Sequence, residues 1–595
     1  MKELEYPFDS SLILSKRKKL RRELLEDGQT RIKKKIAVLG GSTTSDVVKT
    51  LDLFLLNEGI EAELWESEYN RWWQDAVFGT PELDEFAPDV IYIHTSWRNI
   101  EHYFPSVGSK ENADALAAEC FSYFEKAWAA LSRYNCPIIQ NNFELPPYRL
   151  MGNRDCWDEF GASRFIALMN ERLGEYARGH NGFYINDLAY TAAAYGLDAW
   201  HDMQVWYMYK LAMALDAVPS VAFSVSRIVK SIFGKNKKTV TVDLDNTLWG
   251  GVVGDDGVDG IQIGRETAES ECFEEFQKYL KKLTSIGIML TVSSKNDHEN
   301  AIAGLNHPEG ILRPDDFISI KANWNPKDRN IAAIAHEMDL GADSFVFLDD
   351  NPTERALVSR SIKGIAVPEM TSPDTYIRTV DRNGYFELTT FSADDTKRND
   401  MYRANSQRAQ LQSEFADYGE YLLSLDMRAE ILPFSEVYIP RITQLTNKSN
   451  QFNLTTKRYT QTQIEAAAND ENTLTLYGKL ADSFGDNGVV AVTIARLEGK
   501  AADIELWLMS CRVLKKDMEY AMLDTLAAEC ISRGVEKIVG HYYPTAKNSM
   551  VRELFADFGF TKTAEDADGN TAWELSLDGY KNKNRYIKVN PKGEE

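Results

Sequence analysis

Two pairs of aspartates stand where apolar segments of the chain end. Asp243 and Asp245 close the segment TVDLD, and Asp349 with Asp350 closes SFVFLDD. Residues i and i+2 of an extended chain point to the same side, and open α/β sheets bind ligands at the carboxyl ends of their strands. Four carboxylates at one edge would repel one another unless a hard cation lay between them. We therefore predict a Mg²⁺ site formed by Asp243, Asp245, Asp349 and Asp350.

A strand-end aspartate also has a common structural use, which is to cap the following helix. For a lone Asp-X-Asp motif, capping would be the better interpretation. The second aspartate pair, at the end of another apolar segment, favours the metal site instead.

Two further segments carry groups that suit a phosphoryl substrate. VSSKN (292–296) ends a predicted strand with hydroxyl groups that can donate to a phosphate oxygen, and we prefer Ser294 over Ser293 as the catalytic one. NPKDRN (325–330) opens a helix with Lys327, whose ammonium can neutralise a phosphoryl group and its nucleophile. The residues predicted to bind the phosphoryl group are Thr247, Ser293, Ser294, Asn296 and Lys327.

The order of these motifs resembles the haloacid-dehalogenase (HAD) superfamily. In that family the first aspartate of the DxDxT motif accepts the phosphoryl group and the second is a general acid and base. The resemblance implies that Asp243 attacks phosphorus and that Asp245 protonates the leaving oxygen. It also implies that Asp349 and Asp350 hold Mg²⁺ together with Asp243 and the backbone carbonyl of Asp245. Covalent catalysis by a carboxylate would divide one hard displacement into two easier steps.

A longer string, DLDNTLWGGVVGDDGVDGIQIG, taken with SKN, NPK and FVFLDDNPTERA, resembles the FkbH-like group, subfamily IIIC. Members studied in polyketide pathways load a glyceryl unit from 1,3-bisphosphoglycerate onto an acyl carrier protein and remove the phosphate. The resemblance implies an SGNH-hydrolase-like domain before the phosphatase-like domain and an acetyltransferase-like domain after it. It also implies a phosphorylated small-molecule substrate and an acyl carrier protein as partner.

One position departs from the glyceryl-loading members of that group. They often carry a Cys before the motif Ser, as a candidate thioester carrier, and this chain has Ser293 there. A neutral hydroxyl is a much weaker nucleophile than a thiolate. We therefore expect the chain to keep phosphatase activity and to have lost covalent glyceryl transfer. The alternatives are a phosphomonoesterase in surface-polysaccharide or secondary-metabolite biosynthesis and a non-catalytic assembly scaffold.

The segment GGSTT (40–44) resembles the GDS block of SGNH hydrolases, with Gly in place of Asp. Ser42 would then be a nucleophile, and GLDAWHD (196–202) would supply Asp198 and His201 to complete a Ser–His–Asp triad. Asn141 or Asn142 could donate to an oxyanion. The alternative is a binding or scaffold domain without hydrolysis, because short Ser and His motifs are weak signals by themselves.

Near the C-terminus, WLMSCRVLKKDMEYAM resembles the strand-to-helix step of acetyltransferases. Arg512 keeps the arginine of their glycine-rich pyrophosphate loop, so we assign it to cofactor binding. Lys515 and Asp517 occupy positions where glycines permit close backbone approach, and we expect weak or no acetyl-CoA binding. A carrier-docking or substrate-positioning role is the alternative.

The elements around these motifs predict a multidomain α/β chain. Strands and helices alternate in two stretches, which favours two doubly wound parallel sheets, and the last stretch has strands in meander order, which favours a mostly antiparallel α+β domain. A final strand of the middle domain is predicted near KGIAVPE (363–369), and little room is left for a large cap. The predicted regions are a helical lead-in (1–34), an SGNH-like domain (35–235), a HAD-like domain (236–375), a helical connector (376–425), a GNAT-like (acetyltransferase-fold) domain (426–580) and a tail (581–595).

Composition excludes several classes of protein. The 595 residues include 90 acidic and 67 basic ones, a formal net charge of -23, which disfavours nonspecific nucleic-acid binding. We see no apolar segment long enough to span a membrane and no signal peptide. Six singly scattered cysteines favour reduced thiols and a cytoplasmic location.

Overall fold

The computed structural model describes residues 1–391, 393–412, 414–449, 451–510, 513–545 and 547–590. The chain divides into two compact units. One comprises Met1–Gly234 with Glu387–Thr389, and the other comprises Lys235–Phe386 with Thr390–Glu595. Both units contain parallel strands, which confirms the multidomain α/β class.

The first unit is built on a parallel sheet with the strand order β2-β1-β3-β4-β5. These strands are β1 (Ile32–Gly40), β2 (Ile60–Glu66), β3 (Val90–His94), β4 (Ile138–Asn141) and β5 (Phe183–Asn186). The helices of this unit are Ser10–Glu26, Ser45–Asn57, Trp72–Phe78, Pro81–Phe86, Ala113–Leu131, Ala162–Gly179, Leu188–Tyr195, Leu197–Trp200, Met203–Tyr209 and Val218–Ile232.

The predicted lead-in is part of this unit's core. Helix Ser10–Glu26 begins after Asp9, whose carboxylate accepts from the backbone N–H of Ser11 and Leu12. Ile13, Leu20 and Leu24 of this helix pack in the same apolar cluster as the sheet.

The second unit begins with a parallel sheet of order β8-β7-β6-β9. Its strands are β6 (Thr239–Val242), β7 (Met289–Ser294), β8 (Phe317–Ala322) and β9 (Phe345–Leu348). β6 and β9 are buried along their whole length, as expected for parallel strands covered on both faces. The helices around this sheet and those that follow it are Val253–Asp256, Ala268–Ser285, His298–Leu305, Lys327–Glu337, Pro352–Ser361, Tyr376–Arg382, Ala393–Thr396, Arg398–Gln412 and Tyr418–Ser424.

The prediction of a strand near KGIAVPE is wrong. That segment forms only an isolated bridge, between Ala366 and Val346 of β9. Pro368 follows two residues later and has no N–H to donate to a ladder, which helps to explain why pairing stops.

The rest of the second unit carries a mixed sheet. Neighbouring strands are antiparallel except for the parallel pairs β14–β15 and β10–β18. The strands are β10 (Arg428–Leu432), β11 (Phe452–Asn453), β12 (Thr473–Asp482), β13 (Gly485–Glu498), β14 (Ala501–Met509), β15 (Lys537–Tyr542), β16 (Thr561–Glu565), β17 (Thr571–Ser576) and β18 (Lys588–Val589). Its helices are Ile439–Lys448, Gln461–Asn469, Met518–Ser532 and Leu554–Asp557.

The structure bears on two features considered from the sequence, membrane-spanning helices and the state of the cysteines. Among the helices of the described ranges, none combines the length and the apolar composition needed to cross a bilayer. The described cysteines are free thiols, namely Cys120, Cys136, Cys156, Cys272 and Cys530.

A buried group of charges attaches the connector to the third sheet. Asp482, at the end of β12, lies 2.6 Å from Nη2 of Arg408 on helix Arg398–Gln412 and 3.2 Å from Nζ of Lys516. The three side chains are at most 8% exposed. One carboxylate thus neutralises two buried cations.

Replacing Asp482 with Ala should lower the free energy of unfolding of the second unit by about 3–5 kcal/mol, because two buried cations lose their counter-charge. Urea unfolding of the full chain measures this. The control Glu565→Ala removes an acid from an exposed pair with Lys562 and should cost no more than about 1 kcal/mol. Equal losses in the two variants would contradict the interpretation.

Candidate functional site

Aspartates from two neighbouring strands meet at the carboxyl edge of the second sheet. β6 pairs with β9 so that Val242 lies beside Leu348, which places Asp243 and Asp349 at the same level. Carboxylate oxygens of Asp243, Asp349 and Asp350 lie within 4.8 Å of one another. Oδ1 of Asp243 is buried and has no hydrogen-bond partner among the described residues. Because carboxylate oxygens of three residues converge here, and Mg²⁺ prefers oxygen ligands, the cluster suits a divalent cation such as Mg²⁺.

Lys327 joins this cluster from the first turn of helix Lys327–Glu337. Its Nζ lies 2.9 Å from Oδ2 of Asp243 and 2.6 Å from Oδ2 of Asp349, and the side chain is buried. Burial opposes the charged form of Lys327, but the two carboxylates outweigh it and raise its pKa. Burial and then the charge of Asp243 raise the pKa of both Asp349 and Asp350. The cluster therefore needs positive charge to stay ionised.

The side chain of Asp245 does not join the cluster of Asp243, Asp349 and Asp350, and it forms hydrogen bonds with other residues. Its Oδ1 accepts from Nε1 of Trp249 at 2.9 Å and from the backbone N–H of Val253 at 3.1 Å. Its Oδ2 accepts from Nδ2 of Asn296 at 3.0 Å. Burial raises the pKa of Asp245 even though the hydrogen bonds from Val253 and Trp249 favour the charged form. The role of its backbone carbonyl in metal binding stays a prediction.

Strand alternation changes the choice between the two serines. Thr241 and Thr291 are hydrogen-bonded on one face of the sheet, whereas Val242 and Val292 pack in the apolar cluster on the other. Ser293 follows Thr291 by two residues, as Asp243 follows Thr241, so both belong to the same face. The hydroxyl of Ser293 is buried without a partner in the described part of the chain. The structure therefore favours Ser293 over Ser294 as the hydroxyl beside the nucleophile.

The two remaining predicted phosphate ligands contact aspartates instead. The hydroxyl of Thr247 donates to Oδ1 of Asp350 at 3.4 Å and accepts from its backbone N–H at 3.2 Å. Asn296 contacts Asp245, as described above. Both side chains hold the acidic groups in place, and their direct contact with phosphate stays a prediction.

Two residues that position the site were missed by sequence reasoning. Nη1 of Arg355 donates to the carbonyls of Asp349 at 2.7 Å and Asp350 at 2.6 Å, which fixes the backbone between the two acids. Trp249 holds Asp245 through its indole N–H. The only signal for either residue was its place in a quoted motif string, with Trp249 four residues after Asp245 and Arg355 near the end of FVFLDDNPTERA.

The comparisons with known proteins agree with this geometry. The family model described as the N-terminal domain of FkbH matches residues 35–230. The crystal structure of the N-terminal part of the protein BF1531 from Bacteroides fragilis, which contains a phosphatase domain complexed with Mg, is 31% identical to this chain. The match covers 63% of this chain and 99% of that one, with a TM-score of 0.59. The chain belongs to the FkbH-like family of HAD-type phosphatases.

Solved acetyltransferases also resemble this FkbH-like phosphatase, at much lower scores. The ribosomal-protein-S18-alanine N-acetyltransferase from Escherichia coli is 15% identical over 25% of this chain and 94% of its own, with a TM-score of 0.20. The PaiA N-acetyltransferase from Thermoplasma acidophilum in complex with coenzyme A is 14% identical over 25% and 98%, with a TM-score of 0.19. Such scores support no conclusion, so the GNAT-like fold of residues 426–580 stays a prediction. No curated protein matches the chain.

The predicted triad of the first unit is not assembled in the FkbH-like chain. Nε2 of His201 donates to the backbone carbonyl of Leu145 at 2.8 Å, so the nitrogen that a serine would need is already used. The hydroxyl of Ser42 is buried, and none of the residues that the structure describes is its hydrogen-bond partner. Within the described ranges, no hydrogen bond joins Ser42, Asp198 and His201. The SGNH-like assignment of this domain stays a prediction, but the triad geometry is wrong.

The predicted oxyanion donors are also occupied. Nδ2 of Asn141 donates to the carbonyl of Thr95 at 3.0 Å, and Nδ2 of Asn142 donates to Asp187 at 2.8 Å. These contacts of the two amides tie strand ends together.

The predicted coenzyme A contact lies partly outside the described residues. Arg512 is one of the residues that the structure does not describe. Lys515 and Asp517, which replace glycines of the acetyltransferase loop, have φ angles of 63° and 60°, in the left-handed region that favours glycine. The backbone at these two positions thus adopts the conformation that glycine favours, although both residues carry side chains.

Hydrolysis of 4-nitrophenyl acetate tests the missing triad. Wild type and Ser42→Ala should hydrolyse it at the same rate, because His201 is not available to Ser42. In a working triad, loss of the serine costs on the order of 10⁶-fold. A large loss in Ser42→Ala, with none in the surface control Ser109→Ala, would contradict the structural reading.

Proposed function

We propose that this FkbH-like protein is a Mg²⁺-dependent phosphatase that works through a phosphoaspartate on Asp243. One observation carries the proposal. Oδ2 of Asp243 is held by Lys327, whereas Oδ1 is buried and has no hydrogen-bond partner in the described part of the chain. A carboxylate oxygen with free lone pairs, fixed through its partner oxygen, suits a nucleophile.

Asp243 and Asp245 account for both displacement steps and for the proton transfers of the proposed reaction. Oδ1 of Asp243 attacks phosphorus, and the bond to the leaving oxygen breaks with its electron pair going to that oxygen, which takes a proton from Asp245. Water then attacks the phosphorus of the phosphoaspartate, and Asp245 accepts the proton of that water. The bond to Asp243 breaks, its electron pair returns to the carboxylate, and inorganic phosphate is released.

Three carboxylates would hold the metal ion, namely those of Asp243, Asp349 and Asp350. The relative from Bacteroides fragilis has a phosphatase domain complexed with Mg, which supports the same ion here. When bound, Mg²⁺ supplies positive charge that offsets the charge on the transferring phosphoryl group. Lys327 adds a fixed ammonium at the same place.

For the substrate we propose a phosphorylated small molecule of the glycerate type, with 1,3-bisphosphoglycerate as the first candidate. We propose an acyl carrier protein as a docking partner that wild type does not acylate. The family resemblance supports this choice.

A plain phosphomonoesterase is the second candidate, and Ser293 favours it. The hydroxyl beside the nucleophile stands where glyceryl-loading relatives often carry a thiol, and it is the weaker nucleophile. The charged cluster around Lys327 disfavours a non-catalytic scaffold.

The nucleophile can be tested by Asp243→Asn, which keeps the size of the side chain but removes the attacking carboxylate. Mg²⁺-dependent phosphate release should fall to below about 10⁻³ of wild type. The control Asp315→Asn changes an exposed acid of the same domain and should leave turnover as in wild type. Undiminished turnover in Asp243→Asn would exclude the mechanism.

The proposed substrate can be tested by incubating the protein with 1,3-bisphosphoglycerate and candidate acyl carrier proteins, followed by intact mass spectrometry. Wild type should release phosphate and leave the carrier unmodified, because Ser293 cannot act as a thioester carrier. Ser293→Cys should gain a glyceryl adduct on the protein or on the carrier.

The matched control is Ser294→Cys, which introduces a thiol on the opposite face of β7 and should gain no adduct. A glyceryl-carrier adduct formed by wild type would contradict the role given to Ser293. Absence of phosphate release from 1,3-bisphosphoglycerate, with release from other phosphomonoesters, would favour the second candidate.

A further inference from the structure

Three donors hold the carboxylate of Asp245, and they come from two different parts of the fold. Trp249 and Val253 lie in the segment between β6 and helix Ala268–Ser285, where Val253 opens helix Val253–Asp256, whereas Asn296 lies just after β7. Resting on the proposed function, we infer that Asn296 and Trp249 are positioning residues that fix the proton-transferring oxygen of Asp245.

The hydrogen bonds distinguish the two oxygens. A carboxylate oxygen has about two lone-pair sites, and both sites on Oδ1 are used by Trp249 and Val253. Among the described residues, Oδ2 accepts only the amide N–H of Asn296, so one of its sites stays open. The proton given to the leaving oxygen, and later taken from water, therefore passes through Oδ2.

This arrangement is rigid. The indole of Trp249 is fully buried, and the chain can pass beside it only at a glycine, because a Cβ at Gly304 would lie 2.9 Å from the ring. Asn296 is 3% exposed. A carboxylate held by buried donors on both oxygens cannot turn freely, so its orientation is set before the substrate binds. Asn296 consequently acts on the reaction through Asp245.

A comparison of leaving groups separates this role from general damage. Phenyl phosphate releases a phenol, whose pKa of about 10 means that the leaving oxygen needs a proton at neutral pH. The anion released from 4-nitrophenyl phosphate is stabilised by its nitro group and depends much less on a general acid. The measured quantity is the ratio of kcat/KM for the two substrates, with Mg²⁺ present and at one fixed pH.

In Asn296→Ala, kcat/KM for phenyl phosphate should fall about tenfold or more, which is part of the roughly 10²–10⁴-fold that general acid catalysis typically supplies in full. For 4-nitrophenyl phosphate the loss should be at least fivefold smaller. Trp249→Phe keeps an aromatic ring but removes the indole N–H, and it should change the ratio in the same direction.

The matched control is Asn330→Ala. Asn330 is also buried near this edge, but its Nδ2 donates to Asn323 and not to an aspartate. Its loss should affect both substrates equally and leave the ratio as in wild type. An unchanged ratio in both Asn296→Ala and Trp249→Phe would overturn the inference. A wild type that releases phosphate from neither substrate would instead contradict the proposed function.

Discussion

The burial of like charges at one sheet edge is the constraint on which the rest of the site depends. Asp243 and Asp349 follow adjacent parallel strands, so their carboxylates are forced together in surroundings that contain little water. Lys327 neutralises part of this charge, and a divalent ion would neutralise the remainder. Such a cluster destabilises the fold unless it binds cations, which is a reason to regard it as functional.

Two aspartates only two residues apart have different surroundings, and this difference gives them different tasks. Asp243 lies against an ammonium and further carboxylates, and one of its oxygens has no hydrogen-bond partner within the described ranges. Asp245 lies against neutral donors that fix its orientation. The loop after β6 produces this separation, because its indole and backbone N–H hold Asp245 apart from the charged cluster.

The parts of the site that follow from strand periodicity could be predicted from the sequence. Asp243, Asp349 and Lys327 meet because parallel strands end at one edge and a helix begins there. The contacts of Trp249 and Arg355 could not be predicted, because they depend on the path that the chain takes after each strand. The Ser42 triad failed because its short motifs say nothing about Leu145, which engages His201. The strand near KGIAVPE failed because apolar composition alone does not establish pairing.

The most direct measurement is to trap the covalent intermediate and find its position. Turnover of 4-nitrophenyl phosphate with Mg²⁺ would be quenched in acid and treated with labelled borohydride, which reduces an acyl phosphate to an alcohol. Peptide mapping should then show label at residue 243 as homoserine, and no label in Asp243→Asn. Label at another residue, or turnover with no trapped intermediate, would contradict the account.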